Sequence, residues 1–134
     1  MALYQVELTV PPNTTTDNPV ETTVTIEKKV ITRIEVQTRP GQFSQAGVAI
    51  FYGIEQISPE TEGQWHKGNG EIIVDNINWI CPEVPCNLII KGYNNCELFE
   101  HTFIIRIEAQ DYIVAFPWDV VKNFVELISK LIGV

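Results

Sequence analysis

Charge is scarce in this chain and lopsided. Charged residues make up 19% of its 134 positions, and nine Lys plus Arg stand against seventeen Asp plus Glu, for a formal net charge of −8. That sign is wrong for a surface that neutralises phosphates by displacing counterions, so no nucleic-acid partner is expected. Cysteine is also sparse. Cys81, Cys86 and Cys96 are odd in number, so one disulfide at most could form and a thiol would be left over, which fits a reduced protein better than a secreted, cross-linked one. The opening Met1-Ala2-Leu3-Tyr4-Gln5-Val6-Glu7 has neither a basic stretch nor a continuous apolar run. No secretory signal peptide is expected from it, and the protein is expected to stay in the compartment where it is made.

Catalytic signatures are missing as well. The chain has no glycine-rich phosphate cradle, no nucleophile elbow and no His-Glu metal motif, so no enzyme activity, cofactor or metal site is expected. Its two histidines, His66 in a loop and His101 in the alternating phase of the last strand, read as structural, and His101 is expected inside and hydrogen-bonded. Cys81-Pro-Glu-Val-Pro-Cys86 lacks the second matching pair that a zinc knuckle needs. It reads as packing thiols or a small loop disulfide.

What the chain does have is apolar residues, 45% of the total, enough to bury one core and to exclude a disordered polymer. Their spacing is two through most of the chain. Tyr4, Val6, Leu8 and Val10 alternate with Gln5, Glu7 and Thr9, and Val20, Thr22, Val24 and Ile26 alternate with Glu21, Thr23 and Thr25. Past Lys28-Lys29 the period resumes through Val30, Ile34 and Val36, which predicts two strands joined by a short turn. Val48 to Tyr52 is apolar on both faces and predicts an inner strand. Residues 54–70 read as a long loop anchored by Ile57 and Trp65. Strands then follow at Glu71–Val74, Asn87–Tyr93 and Phe99–Ile107. Turn signals separate these segments and no helical period interrupts them. Residues 1–110 are therefore predicted to form an all-β domain, an antiparallel β-sandwich or jelly roll of about eight strands.

The last segment, 111–134, changes period and is expected to be a linker followed by one C-terminal amphipathic α-helix. At about 100° per residue, Trp118, Val120, Val121, Phe124, Val125, Leu127, Ile128, Leu131, Ile132 and Val134 share an arc of roughly 200°. Asp119, Lys122, Asn123, Glu126, Ser129 and Lys130 fill the rest. Covering a sandwich needs only about half that width. The charges bar a transmembrane span, and a polar face that sums to zero suits a membrane surface less well than a basic one. Docking on another subunit remains, with Trp118, Val121, Phe124, Val125, Ile128, Leu131 and Ile132 as the partner-facing residues. The partner is a further copy of this chain, another structural subunit, or both.

A second candidate site is the loop Gly63-Gln64-Trp65-His66-Lys67-Gly68-Asn69-Gly70. Trp65 and His66 lie there beside Glu60, Glu62 and Glu71, and an exposed Trp near carboxylates could stack on a sugar ring. Trp65, or Tyr52 and Tyr93 on neighbouring strands, would then form the platform of a carbohydrate-binding module.

Pro11-Pro-Asn-Thr-Thr-Thr-Asp-Asn-Pro-Val20, Phe51-Tyr-Gly-Ile-Glu-Gln-Ile-Ser-Pro59 and Gly63-Gln-Trp-His-Lys-Gly-Asn-Gly-Glu71 set a layout and turn texture over residues 4–108. In these the chain resembles small β-sandwich virion proteins of tailed phages and related archaeal viruses. The resemblance implies a structural role in a virion, as capsid decoration, turret or tail component, made in the host cytoplasm. It implies no catalytic residues and does not extend to the C-terminal helix.

Overall fold

The computed structural model describes residues 2–112 and 117–132. Eight strands precede one helix: β1 (Ala2–Val10), β2 (Val20–Ile26), β3 (Val30–Gln37), β4 (Ala46–Tyr52), β5 (Glu55–Ser58), β6 (Ile72–Ile80), β7 (Cys86–Asn94), β8 (His101–Gln110) and α1 (Pro117–Leu131). They form two four-stranded antiparallel sheets, ordered β1-β8-β3-β6 and β2-β7-β4-β5. The pairs β1·β8, β2·β7, β3·β6 and β4·β5 nest the first half of the chain against the second. This is a jelly roll, the double-sheet form of an antiparallel sandwich.

Alternation explains which faces meet. In β8 every second residue from His101 to Ala109 is buried, and Phe103, Ile105 and Ile107 meet Leu8, Ile34 and Val36 in one continuous core with Val24, Ile26, Val48, Ile50, Leu88 and Ile90 of the other sheet. Apolar residues at period two place one wall of a strand inside and leave the other wet. β4 is buried from Ala46 to Ile50 on both faces, as its uniformly apolar sequence requires. It lies between β7 and β5.

Four expectations change. First, β2 and β3 do not pair. The residues 27–29 carry the chain from one sheet to the other, where β2 takes β7 as its partner and β3 takes β6 and β8. Second, the segment 54–70 is not loop throughout. Glu55–Ser58 forms β5 on the edge of β4, a strand too short to display a period of its own. Third, β6 continues to Ile80, because Asn76 and Asn78 occupy its wet face while Ile77 and Trp79 pack against the core. Fourth, Phe99 does not join the inward row of β8. It sits in the preceding loop and is 66% exposed, and the Asn94 side-chain amide fixes that loop by donating to the backbone oxygens of both Val10 and Phe99.

The helix forms where the period predicts it. Pro117 opens the first turn, where its missing N–H costs nothing, and Asp119 near the start and Lys130 near the end oppose the macrodipole. The expected continuation to Val134 and the linker residues 113–116 lie outside the described residues.

Candidate functional site

None of the residues of α1 is buried. Trp118 is 74% exposed, Phe124 62% and Leu131 78%, with Val121, Val125, Leu127, Ile128 and Ile132 also open to solvent. All seven residues expected to face a partner therefore share one uncovered helix face. The helix is tethered rather than packed: Tyr112, just past β8, donates from Oη to Asp119 Oδ2 at 3.2 Å. Monomeric soluble proteins rarely leave a continuous apolar face of this kind in water. Among the described residues no helix is long and apolar enough to cross a membrane.

Trp65 and His66 do lie side by side, but they do different work. Trp65 is half-buried and meets Tyr93 edge to face, with ring centroids 4.9 Å apart. It also walls an open groove of about 570 Å3 together with Phe51, Asp17, Glu21 and Lys91. Lys91 lies 4.7 Å above the Phe51 ring and 3.6 Å from Glu21. Tyr52 and Tyr93 form no joint platform. Tyr93 is buried and pairs with Gly47, at the far end of β4 from Tyr52, and Tyr52 packs on Trp79 while its Oη donates to Glu83.

His66 is buried and extends the edge of β4, exchanging backbone hydrogen bonds with Val48. Its Nε2 lies 2.8 Å from Ser58 Oγ, and Ser58 donates to Asp75 Oδ2 at 2.6 Å. With its hydroxyl proton on Asp75, Ser58 accepts from Nε2–H. The serine is thus the middle member, fully buried, whereas nucleophilic catalysis needs an imidazole between serine and carboxylate. Burial pulls the His66 imidazole below its ordinary value of 6.5, with Asp75 opposing that shift in part. His101 is inside, as expected, but not hydrogen-bonded as expected. Its Nε2 has no partner, and burial lowers its pKa too. The apolar row of β8 that carries it inward supplies no acceptor.

Cys81 and Cys86 are buried free thiols, not a disulfide. Burial pushes the Cys81 thiol up to about 12 and raises Cys86 as well. Among the described residues no group of His, Cys, Asp and Glu is placed to hold a metal.

One surface went unread in the sequence. Phe43, Leu98 and Phe99 are exposed together around an open groove of about 470 Å3, on the loops that follow β3 and β7. Phe43 and Ser44 both adopt left-handed backbone, with φ of 47° and 58°, an uncommon conformation away from glycine. The visible clue was an aromatic side chain inside the turn-forming run Pro40-Gly41-Gln42-Phe43-Ser44.

The candidate surfaces therefore lie on a jelly roll and on a C-terminal amphipathic helix whose described residues are not buried. No protein-family model matches the chain, and no curated protein sequence matches it significantly.

Proposed function

We propose that this protein is a non-enzymatic structural subunit of a larger assembly, a virion component of the capsid-decoration, turret or tail type, which docks through α1. The observation that carries the reading is the uncovered apolar face of the helix, from Trp118 to Ile132. A side chain such as Phe124 or Leu131 gains about 1.5–3 kcal/mol on full burial, a gain this chain leaves unrealised within itself. The jelly roll is compatible with the reading without selecting it, since capsid proteins, lectins and cupins all use that fold.

The test is Phe124→Asp. A charge in the middle of the apolar face costs several kcal/mol wherever that face is desolvated. The expected variant keeps a cooperative melt within a few degrees of wild type and loses self-association or incorporation, while Lys122→Glu on the polar face does neither. Global unfolding of Phe124→Asp, or a wild-type chain that stays monomeric at high micromolar concentration in analytical ultracentrifugation, would refute the reading.

A second reading rests on the groove beside Trp65. Two aromatic walls, two acids and a lysine on a sandwich scaffold suit a glycan. Glycan-array binding that disappears in Trp65→Ala would support it, and binding that survives the substitution would exclude it.

A further inference from the structure

A pocket of about 280 Å3 opens between β5 and β6, with Ile77 and Trp79 among its walls and Glu55, Glu60, Asn76 and Asn78 around it. We propose that it binds the guanidinium of an arginine carried by a basic partner protein. β5 and β6 are the outer edges of different sheets, and the Ser58–Asp75 hydrogen bond joins them next to Ile57 and Asn76. The pocket is the part of that side which the bond leaves open.

Both halves of it are held in place. Ile77 and Trp79 belong to the inward phase of β6 and pack against the core, and Tyr52 packs on the Trp79 ring with centroids 5.5 Å apart. Across from them Gln56 gathers the turn after β5 around its own amide. Its Nε2 donates to the backbone oxygens of Pro59 at 2.7 Å, Thr61 at 3.1 Å and Gln64 at 2.8 Å, and its Oε1 accepts from Gly63 N–H. That turn carries Glu60 to the rim it shares with Glu55.

The two carboxylates lack a cation. Lys28, Arg33, Arg39, Lys91 and Arg106 are paired with other acids, and among the described residues no Lys or Arg pairs with Glu55 or Glu60. The groove beside Trp65 shows what such a set holds: there Lys91 lies 4.7 Å above the Phe51 ring and 3.6 Å from Glu21. In the β5–β6 pocket an aromatic ring and carboxylates recur without the ammonium. Its volume falls just below the roughly 300–1,000 Å3 of sites that take drug-sized molecules, which suits one long side chain. Arginine fits better than lysine, because a planar guanidinium can stack on the indole and meet carboxylate and carboxamide oxygens together, while its methylenes lie along Ile77. The net charge of −8 draws a basic protein and repels a second copy of this chain.

The pocket includes no residue of α1 or of the Trp65 groove, so its test is independent of both readings above. In nitrogen–proton correlation NMR of the full chain, acetyl-Gly-Arg-Gly-amide should produce saturable shifts at the Trp79 indole N–H and the Asn76 and Asn78 side-chain amides, and added salt should weaken them. The lysine peptide should bind more weakly, and the neutral citrulline peptide should leave the signals unmoved. Glu55→Gln/Glu60→Gln should keep the wild-type melt and bind the arginine peptide at least about tenfold more weakly. Glu97→Gln/Glu100→Gln, which removes the same charge from the loop before β8, should bind as wild type does. Absence of shifts at Trp79, equal shifts with citrulline, or equal weakening in the two double variants overturns the proposal. Shifts produced by agmatine but by no peptide-borne arginine would overturn the protein partner and assign the pocket to a small guanidinium compound.

Discussion

Ser58 Oγ, at the end of β5, donates a 2.6 Å hydrogen bond to Asp75 Oδ2 on β6, and these two strands are the outer edges of different sheets. The bond therefore clasps the sandwich along one open side, with His66 as a third member at 2.8 Å. Ser58→Ala leaves a carboxylate and an imidazole without their common partner. It should lower stability by about 1.5–3 kcal/mol, with Asp75→Asn costing less because an acceptor oxygen is retained. Urea denaturation of the three proteins measures this, and equal stability would show that the clasp contributes nothing.

Acid should weaken the fold through the histidines. His66 and His101 are both held below the ordinary imidazole value of 6.5. As pH falls through that value the unfolded chain takes up protons that the folded chain still refuses. Their contribution is complete above about 6.5 and is lost between there and the folded values. Melting temperatures at about pH 7.5 and about pH 5 should differ, with the lower pH less stable, and His66→Gln should shrink the difference. An unchanged difference in that variant would remove His66 from the account.

Gly92, on β7, is a packing glycine. A Cβ there would stand 2.8 Å from Val10 Cγ2 and 2.9 Å from Leu8 Cδ2, across the interior on β1. Gly92→Ala should overpack the core and cost about 1–3 kcal/mol. Gly53, whose Cβ would meet nothing within 4 Å, has positive φ and so tests backbone strain instead. If a thermal melt finds Gly92→Ala as stable as wild type, the two sheets have more slack than these distances allow.

The thiols should separate by reactivity. Cys96 is only partly buried, whereas Cys81 and Cys86 are inside and the Cys81 thiol is pushed up to about 12. Thiolate is the reacting species, so iodoacetamide should modify Cys96 first in the folded protein. Cys81 and Cys86 should follow only in denaturant. Peptide mass spectrometry reads the order, and early labelling of Cys81 would contradict it.

Period alone determined much of this protein. Tyr4 to Val10, Val20 to Ile26 and the inward row of β8 from His101 onward could be assigned from the sequence because side-chain direction in a strand depends only on the residue's own backbone. The same locality made α1 legible: the positions from Trp118 to Ile132 define their common face without reference to anything else in the chain. Alternation says which face is buried, but not which strand lies alongside. The separation of β2 from β3 into different sheets, the pairing of the four-residue β5 and the outward turn of Phe99 depended on partners distant in the chain. So did the meeting of Ser58, His66 and Asp75, which come together only when β5 and β6 close the same side of the sandwich. The tertiary structure also decided that the apolar face of α1 stays uncovered. The two sheets fill each other's interior with Phe103, Ile105, Ile50 and Leu88, and no residue of α1 is buried against them.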